Sequence, residues 1–116
     1  VRDWLTQGVA KVAYRYADEP FTITVKGINL ESCPHIHITF RQGDTVVNVV
    51  DPPVLDESHL VITLTQQQTG MFRDGTVYTQ GNIWDANGKR HPTGEKTVKM
   101  ERNLLDRVIV YEPEPT

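Results

Sequence analysis

Apolar and polar residues alternate with a period of two through most of the middle of the chain. Phe21, Ile23 and Val25 are interleaved with Thr22, Thr24 and Lys26, which predicts a strand with one buried face. Gly27 ends that run. Ile36, Ile38 and Phe40 alternate with His35, His37, Thr39 and Arg41 in a second strand with a polar face. Gln42-Gly43-Asp44 supplies a turn, and residues 45–50 form a third, β-branched strand before Asp51-Pro52-Pro53 breaks the ladder. In a fourth strand Leu60, Ile62 and Leu64 face one way and His59, Val61 and Thr63 the other. Thr65 is placed to cap a short helical turn through Gln66, Gln67 and Gln68, returning Met71 and Phe72 to the core.

A fifth strand follows Gly75, with Val77, Thr79, Gly81 and Ile83 on one face and Tyr78, Gln80, Asn82 and Trp84 on the other. Asp85-Ala86-Asn87-Gly88 reads as a hairpin turn, and the return runs from about Lys89 to Met100, bent at Pro92 and Gly94. Short strands joined by tight turns predict a mainly β fold, either a small antiparallel, immunoglobulin-like β-sandwich or a small barrel. The sandwich is the expectation, because a single sheet of this length would leave one apolar face wet.

The ends differ from this middle. Val1, Trp4, Leu5, Gly8, Val9, Val12, Ala13 and Tyr16 recur at helical spacing, and Asp3 suits a helix start. Gly8 costs such a helix ~1 kcal/mol, however, and Val12, Tyr14 and Tyr16 also alternate as a strand. Both a short N-terminal helix and a strand therefore fit. The division predicted is an amphipathic extension over residues 1–16, a β-sandwich domain over 17–110, and an acidic, proline-rich tail over 111–116, expected to be mobile.

Composition narrows the class. One domain accommodates 116 residues, and neither disulfides nor metals are needed to hold a core of that size. Twelve basic and fifteen acidic residues give a net charge of −3 without a basic stripe, which argues against a nucleic-acid partner. No apolar run approaches the ~20 residues of a spanning helix, so no membrane partner is expected either. The sequence opens at Val1 without the features of a signal peptide, and secretion by that route is not expected. The single cysteine, Cys33, cannot form an internal disulfide.

Candidate chemistry is sparse. His35 and His37 are two residues apart on a strand, so their imidazoles share a face as weak metal-ligand candidates, with Cys33, His59 and His91 as possible additional ligands. The pattern departs from that of cupin barrels: no acid follows before Asp44, and Thr97 stands where a later histidine belongs. The residues from Asp85 to Gly88 open like a calcium loop, but a hairpin turn accounts for them. There is no nucleophile elbow, no glycine-rich phosphate loop, and no acid pair singled out for glycoside hydrolysis. No catalytic residue and no cofactor are assigned, and the chain is not expected to be an enzyme. Tyr78 and Trp84, on a face with Gln80 and Asn82, could form a ligand face for sugar or another cell-surface molecule.

Four stretches carry a resemblance over about Tyr14 to Ile109. They are Pro20 to Val25; Ile36 to Gln42; Leu60 to Phe72, with its threonine, glutamine-rich turn and phenylalanine; and Gly75 to Asp85, with Asn103 to Ile109 closing the unit. Together they resemble a group of small β-sandwich proteins encoded among the structural genes of phages and prophages of Gram-positive bacteria. Residues 1–13 have no counterpart in that group, and His35 and His37 are not part of its pattern. The resemblance implies a virion or virion-assembly accessory, located in the particle or in the host cytoplasm during assembly, with other virion proteins as partners. It transfers no functional residues.

The expected mode of action is therefore self-association and protein–protein contact, with a homo-oligomer as the natural form. Both chain ends are unusually apolar. Trp4, Leu5, Val9 and Val12 at one end, and Leu104, Leu105, Val108 and Ile109 at the other, are the candidate interface residues.

Overall fold

The computed structural model describes residues 3–6 and 12–109. Val9 and the tail over 111–116 lie outside the described residues. The strands are β1 (Asp3–Thr6), β2 (Val12–Tyr14), β3 (Glu19–Lys26), β4 (His35–Gln42), β5 (Thr45–Val50), β6 (His59–Leu64), β7 (Gly75–Trp84), β8 (Arg90–Pro92) and β9 (Lys96–Glu101). Among the described residues one short α-helix, α1 (Gln66–Gly70), links β6 to β7.

The period-two pattern closes into two sheets. The smaller has the order β1-β3-β6 and the larger the order β2-β9-β7-β4-β5, with β8 also paired to β7. β3 beside β6 in one layer, and β9, β7 and β4 in succession in the other, is an immunoglobulin-like sandwich. Neighbours are antiparallel except β2, which runs parallel to β9 with Val12, Ala13 and Tyr14 opposite Lys99, Met100 and Glu101. That pair departs from the wholly antiparallel expectation.

Of the two conformations open to the N-terminal stretch, residues 3–6 and 12–14 adopt the extended one, not the helix. β1 pairs with β3, Trp4 standing opposite Val25 and Leu5 opposite Thr24. Each sheet edge offers unpaired backbone donors and acceptors, and pairing satisfies them where a helix interrupted by Gly8 could not. The segment expected as an extension before residue 17 thus supplies one edge strand to each sheet.

The inner faces meet as the alternation predicts. Phe21, Ile23 and Val25 of β3 and Leu60, Ile62 and Leu64 of β6 are buried beneath Ile36, Ile38 and Phe40 of β4, Val77 and Ile83 of β7, and Val98 and Met100 of β9. Phe21 and Phe40 touch across the layers, their ring centroids 5.7 Å apart. Each such side chain contributes roughly 1.5–3 kcal/mol by leaving water. Thr79 shares this interior, and its hydroxyl is a buried side-chain atom with no hydrogen-bond partner among the described residues.

Thr65 caps α1 as expected. Its hydroxyl accepts the Gln68 N–H at 3.3 Å while the Gln68 side chain accepts the Thr65 N–H at 2.9 Å, a reciprocal capping box. Phe72 drops into the core, but Met71 stays half exposed: α1 turns only once, and one turn delivers one of two adjacent residues inward. Around the end of α1, Arg15 donates to the carbonyls of Phe72 and Gly70, and the Thr69 hydroxyl bridges the N–H and C=O of Ala17.

Three aspartates close three loops. Asp51, held at φ 50°, accepts the Ile36 N–H at 2.9 Å and sits 2.8 Å from His35 Nδ1. Asp56 accepts the N–H groups of Ser58 and His59, and His59 Nδ1 lies 2.8 Å away. Asp85 accepts the N–H groups of Asn87 and Lys89 across the hairpin and lies 2.8 Å from His91 Nε2. In that hairpin Gly88 alone takes a positive φ, Asn87 keeping a negative one. All three carboxyls are held below the ordinary carboxylate range. The leading cause is the Ile36 N–H for Asp51, the Ser58 N–H for Asp56 and the His91 side chain for Asp85.

Three outcomes follow for stability. Thr65→Ala should cost about 1 kcal/mol in urea unfolding, while Thr65→Ser keeps most of it. Thr79→Val, which removes the partnerless hydroxyl and keeps the branch, should be neutral or stabilise by up to about 1 kcal/mol. Lowered carboxyl pKa values add stability that is present above the unfolded value of about 3.9 and lost as pH falls through the folded values. The melting temperature should therefore begin to drop near pH 4 and continue dropping below it. Replacing Asp51, Asp56 and Asp85 together by Asn should flatten that acid limb, and an unaltered limb would assign it to other groups.

Candidate functional site

The outward face of the large sheet is laid out by the same alternation that fills the core. His35, His37, Thr39 and Arg41 of β4 stand directly opposite Trp84, Asn82, Gln80 and Tyr78 of β7. Four cross-strand pairs thus form two parallel rows of polar and aromatic side chains pointing away from the core.

One end of these rows is self-contained. The His35 ring lies 4.8 Å from Trp84, and the Arg90 guanidinium covers Trp84 at 5.5 Å. His35 is tied to Asp51, and His37 meets the His35 ring edge-on at 6.2 Å. The two imidazoles share a face as the spacing requires, but the other candidate ligands lie elsewhere. His59 is on β6 in the opposite sheet beside Asp56, and His91 is beside Asp85. Among the described residues no three His, Cys, Asp or Glu side chains converge as a ligand set. The Cys33 thiol donates to the Asn29 carbonyl at 3.2 Å, and burial first, then the charge of Asp85, pushes its pKa up. That is the reverse of an activated nucleophile.

The other end of the rows opens into a pocket of about 300 Å³ lined by Thr39, Arg41, Tyr78, Gln80, Asn82 and Glu95, with Thr79. Its cause is a break in the returning strand. β8 pairs with residues 82–84 of β7 and β9 with residues 75–79, and between them Thr93 bonds back to Gly81 through both its backbone and its hydroxyl. On the side of β7 away from β4 no regular strand pairs with Gln80, so that stretch is left open at one side, and Glu95 lines the pocket. Tyr78 is 50% exposed here. The two aromatic residues of the expected ligand face therefore separate: Tyr78 lines the pocket, and Trp84 is taken up by His35 and Arg90. Alternation placed Arg41, Gln80 and Asn82 on this face, but the role of Glu95 depends on the break and had no local signal.

The expected interface residues also divide. Trp4 and Leu5 belong to β1 on the small sheet, whereas Val12 is exposed on β2 at the edge of the large one. After β9 the chain runs on without regular structure, exposing Leu104, Leu105, Val108 and Ile109 by 86, 52, 47 and 43%. This segment is fastened down: the Asn103 amide donates to the Arg15 carbonyl at 3.0 Å, and Gln66 exchanges two hydrogen bonds with the Ile109 backbone at 2.8 and 2.9 Å.

No family model matches the sequence, and no curated protein matches it. Among solved structures the chain is similar to a fibronectin(III)-like module of CbhA from Clostridium thermocellum, with 16% identity, a TM-score of 0.49, and 93% of this chain covering 99% of that one. It is also similar to murine CRIg, with 6% identity, a TM-score of 0.43, and 86% of this chain covering 98% of that one.

Proposed function

We propose that this domain is a non-catalytic interaction module that works through protein–protein contacts, including contacts with further copies of itself. The observation that carries the reading is the fastened apolar segment after β9. A loose tail could expose leucines at little consequence, since scattered exposed apolar residues are ordinary. Here hydrogen bonds from Asn103 and Gln66 hold Leu104, Leu105, Val108 and Ile109 against the body with their side chains in water. Exposed Val12 and Tyr14 lie on β2, whose successor residue Arg15 accepts the Asn103 bond, and half-exposed Met71 follows α1. An apolar surface held in place with about half or more of each side chain's area in water is what a protein interface leaves behind when its partner is removed.

Within that reading, the chain is a structural or assembly accessory of a phage particle, acting with other virion proteins in the particle or in the host cytoplasm during assembly. The support for this finer assignment is the resemblance of the four stretches between residues 20 and 85 and the closing segment at 103–109.

The test is solution mass by light scattering coupled to size exclusion over a range of concentrations. The chain should run as an oligomer of constant mass. The triple variant Leu104→Glu, Leu105→Glu, Val108→Glu should fall to a monomer and stay folded, losing no more than about 1.5 kcal/mol (about 0.5 per site) because these side chains are outside the core. A parent that is monomeric throughout would remove self-association, and a variant that keeps the parental mass would remove this segment as the contact.

A further inference from the structure

We propose that the pocket beside the break between β8 and β9 is a saccharide-binding site that accepts one uncharged pyranose unit against Tyr78. Several polar groups around the pocket are already engaged, and what they leave open defines the ligand. Gln80 donates its Nε2 to the Thr93 carbonyl at 2.8 Å, which fixes the amide plane and leaves Oε1 as an acceptor. Asn82 accepts the Arg90 Nε–H at 2.8 Å through Oδ1, which leaves its Nδ2 as a donor. Thr39 donates to Asn48 at 2.8 Å and keeps oxygen lone pairs in hand. The Arg41 guanidinium and the Glu95 carboxylate line the same pocket and make no hydrogen bond or ion pair among the described residues.

The open groups therefore alternate in character: a fork of donors at Arg41, an acceptor at Gln80, a donor at Asn82 and acceptors at Glu95. A sugar hydroxyl both donates and accepts, so a ring carrying several of them can satisfy such a mixed set. Gln80 and Asn82 are two residues apart on one strand face, about 7 Å along β7, a separation that one sugar ring spans. An anion would meet Glu95 and a cation would meet Arg41, each unfavourably. The 50%-exposed Tyr78 ring, cross-strand neighbour of Arg41, supplies the apolar wall on which the C–H face of a pyranose rests. A volume of about 300 Å³ lies at the small end of ligand pockets, suited to a single unit and not to a branched glycan held in full.

The experiment is a titration of the full ¹⁵N-labelled chain with glucose, galactose, rhamnose and N-acetylglucosamine, followed by amide chemical shifts. At least one sugar should give saturable shifts confined to residues 39–41, 78–82 and 93–95, with a Kd of the order of 1–10 mM, the range of a single small contact. Tyr78→Ala and Arg41→Ala should each weaken that sugar at least tenfold, their unperturbed spectra elsewhere showing that the fold persists. Solution mass should not change in either variant, which separates this site from the contact made by the segment after β9. No saturable shift with any of the four sugars, shifts centred elsewhere, or equal affinity in the two variants would overturn the assignment. So would stronger, saturable binding of acetate or glycine at the same residues, since a charged ligand would then be the better fit.

Discussion

The interlayer between the two sheets is the constraint on which the rest of this molecule depends. Neither sheet can keep its apolar face in water, and the only other surface able to cover it is the apolar face of its partner. Phe21, Ile23, Leu60 and Ile62 on one side and Ile38, Phe40, Val77 and Val98 on the other are each at most 5% exposed. Close packing at that density leaves no freedom in strand register, because a slip of one residue would turn every one of these side chains outward. With register fixed, the outer face follows without further choice. The residues between the core positions of β4 and β7 must stand in facing rows, whatever they are chemically.

What those rows do is decided by small departures from regularity. Regular pairing along the whole of β7 would have covered its open side with another strand. Thr93 instead folds back on Gly81, pairing is interrupted, and a concave site appears beside Gln80. A similar economy operates around α1. The glutamines of α1 look like a polar turn, yet Gln66 acts as a clamp that holds the apolar segment ending at Ile109. In both places a polar side chain substitutes for a missing strand partner and turns chain that would otherwise be irregular into a defined surface.

The two surfaces have different physical characters and are separate in the fold. The segment after β9 is apolar and exposed, suited to burial by a large partner, since apolar contact gains with area. The pocket is polar, small and lined by groups with fixed bonding directions, suited to a small ligand with many hydroxyls. On the proposed reading, the first would hold the domain in an assembly while the second stays open to solvent. The three loop-closing aspartates add stability that is present above the unfolded carboxylate pKa and lost as pH falls through their lowered folded values.

Much of this was legible in the order of residues. Strand positions, facing directions, the Thr65 cap and the hairpin ending at Gly88 follow from local chemistry, because each depends on neighbours within a few residues. The sandwich followed too, since alternation leaves each sheet with one face to bury. Tertiary structure decided what depends on distant partners. The N-terminal stretch carried both a helical and an extended pattern, and only the open edges of β3 and β9 selected strands, one of them parallel. His35 and Trp84 read as ligand candidates until cross-strand register and Asp51 engaged them with each other. Glu95 carried no signal at all, because its position arises from a strand break stabilised by Gly81, a residue far from it along the chain and near it only in the fold. Local sequence determines what a residue is able to do, and the company it keeps across the sheet determines which of those things it does.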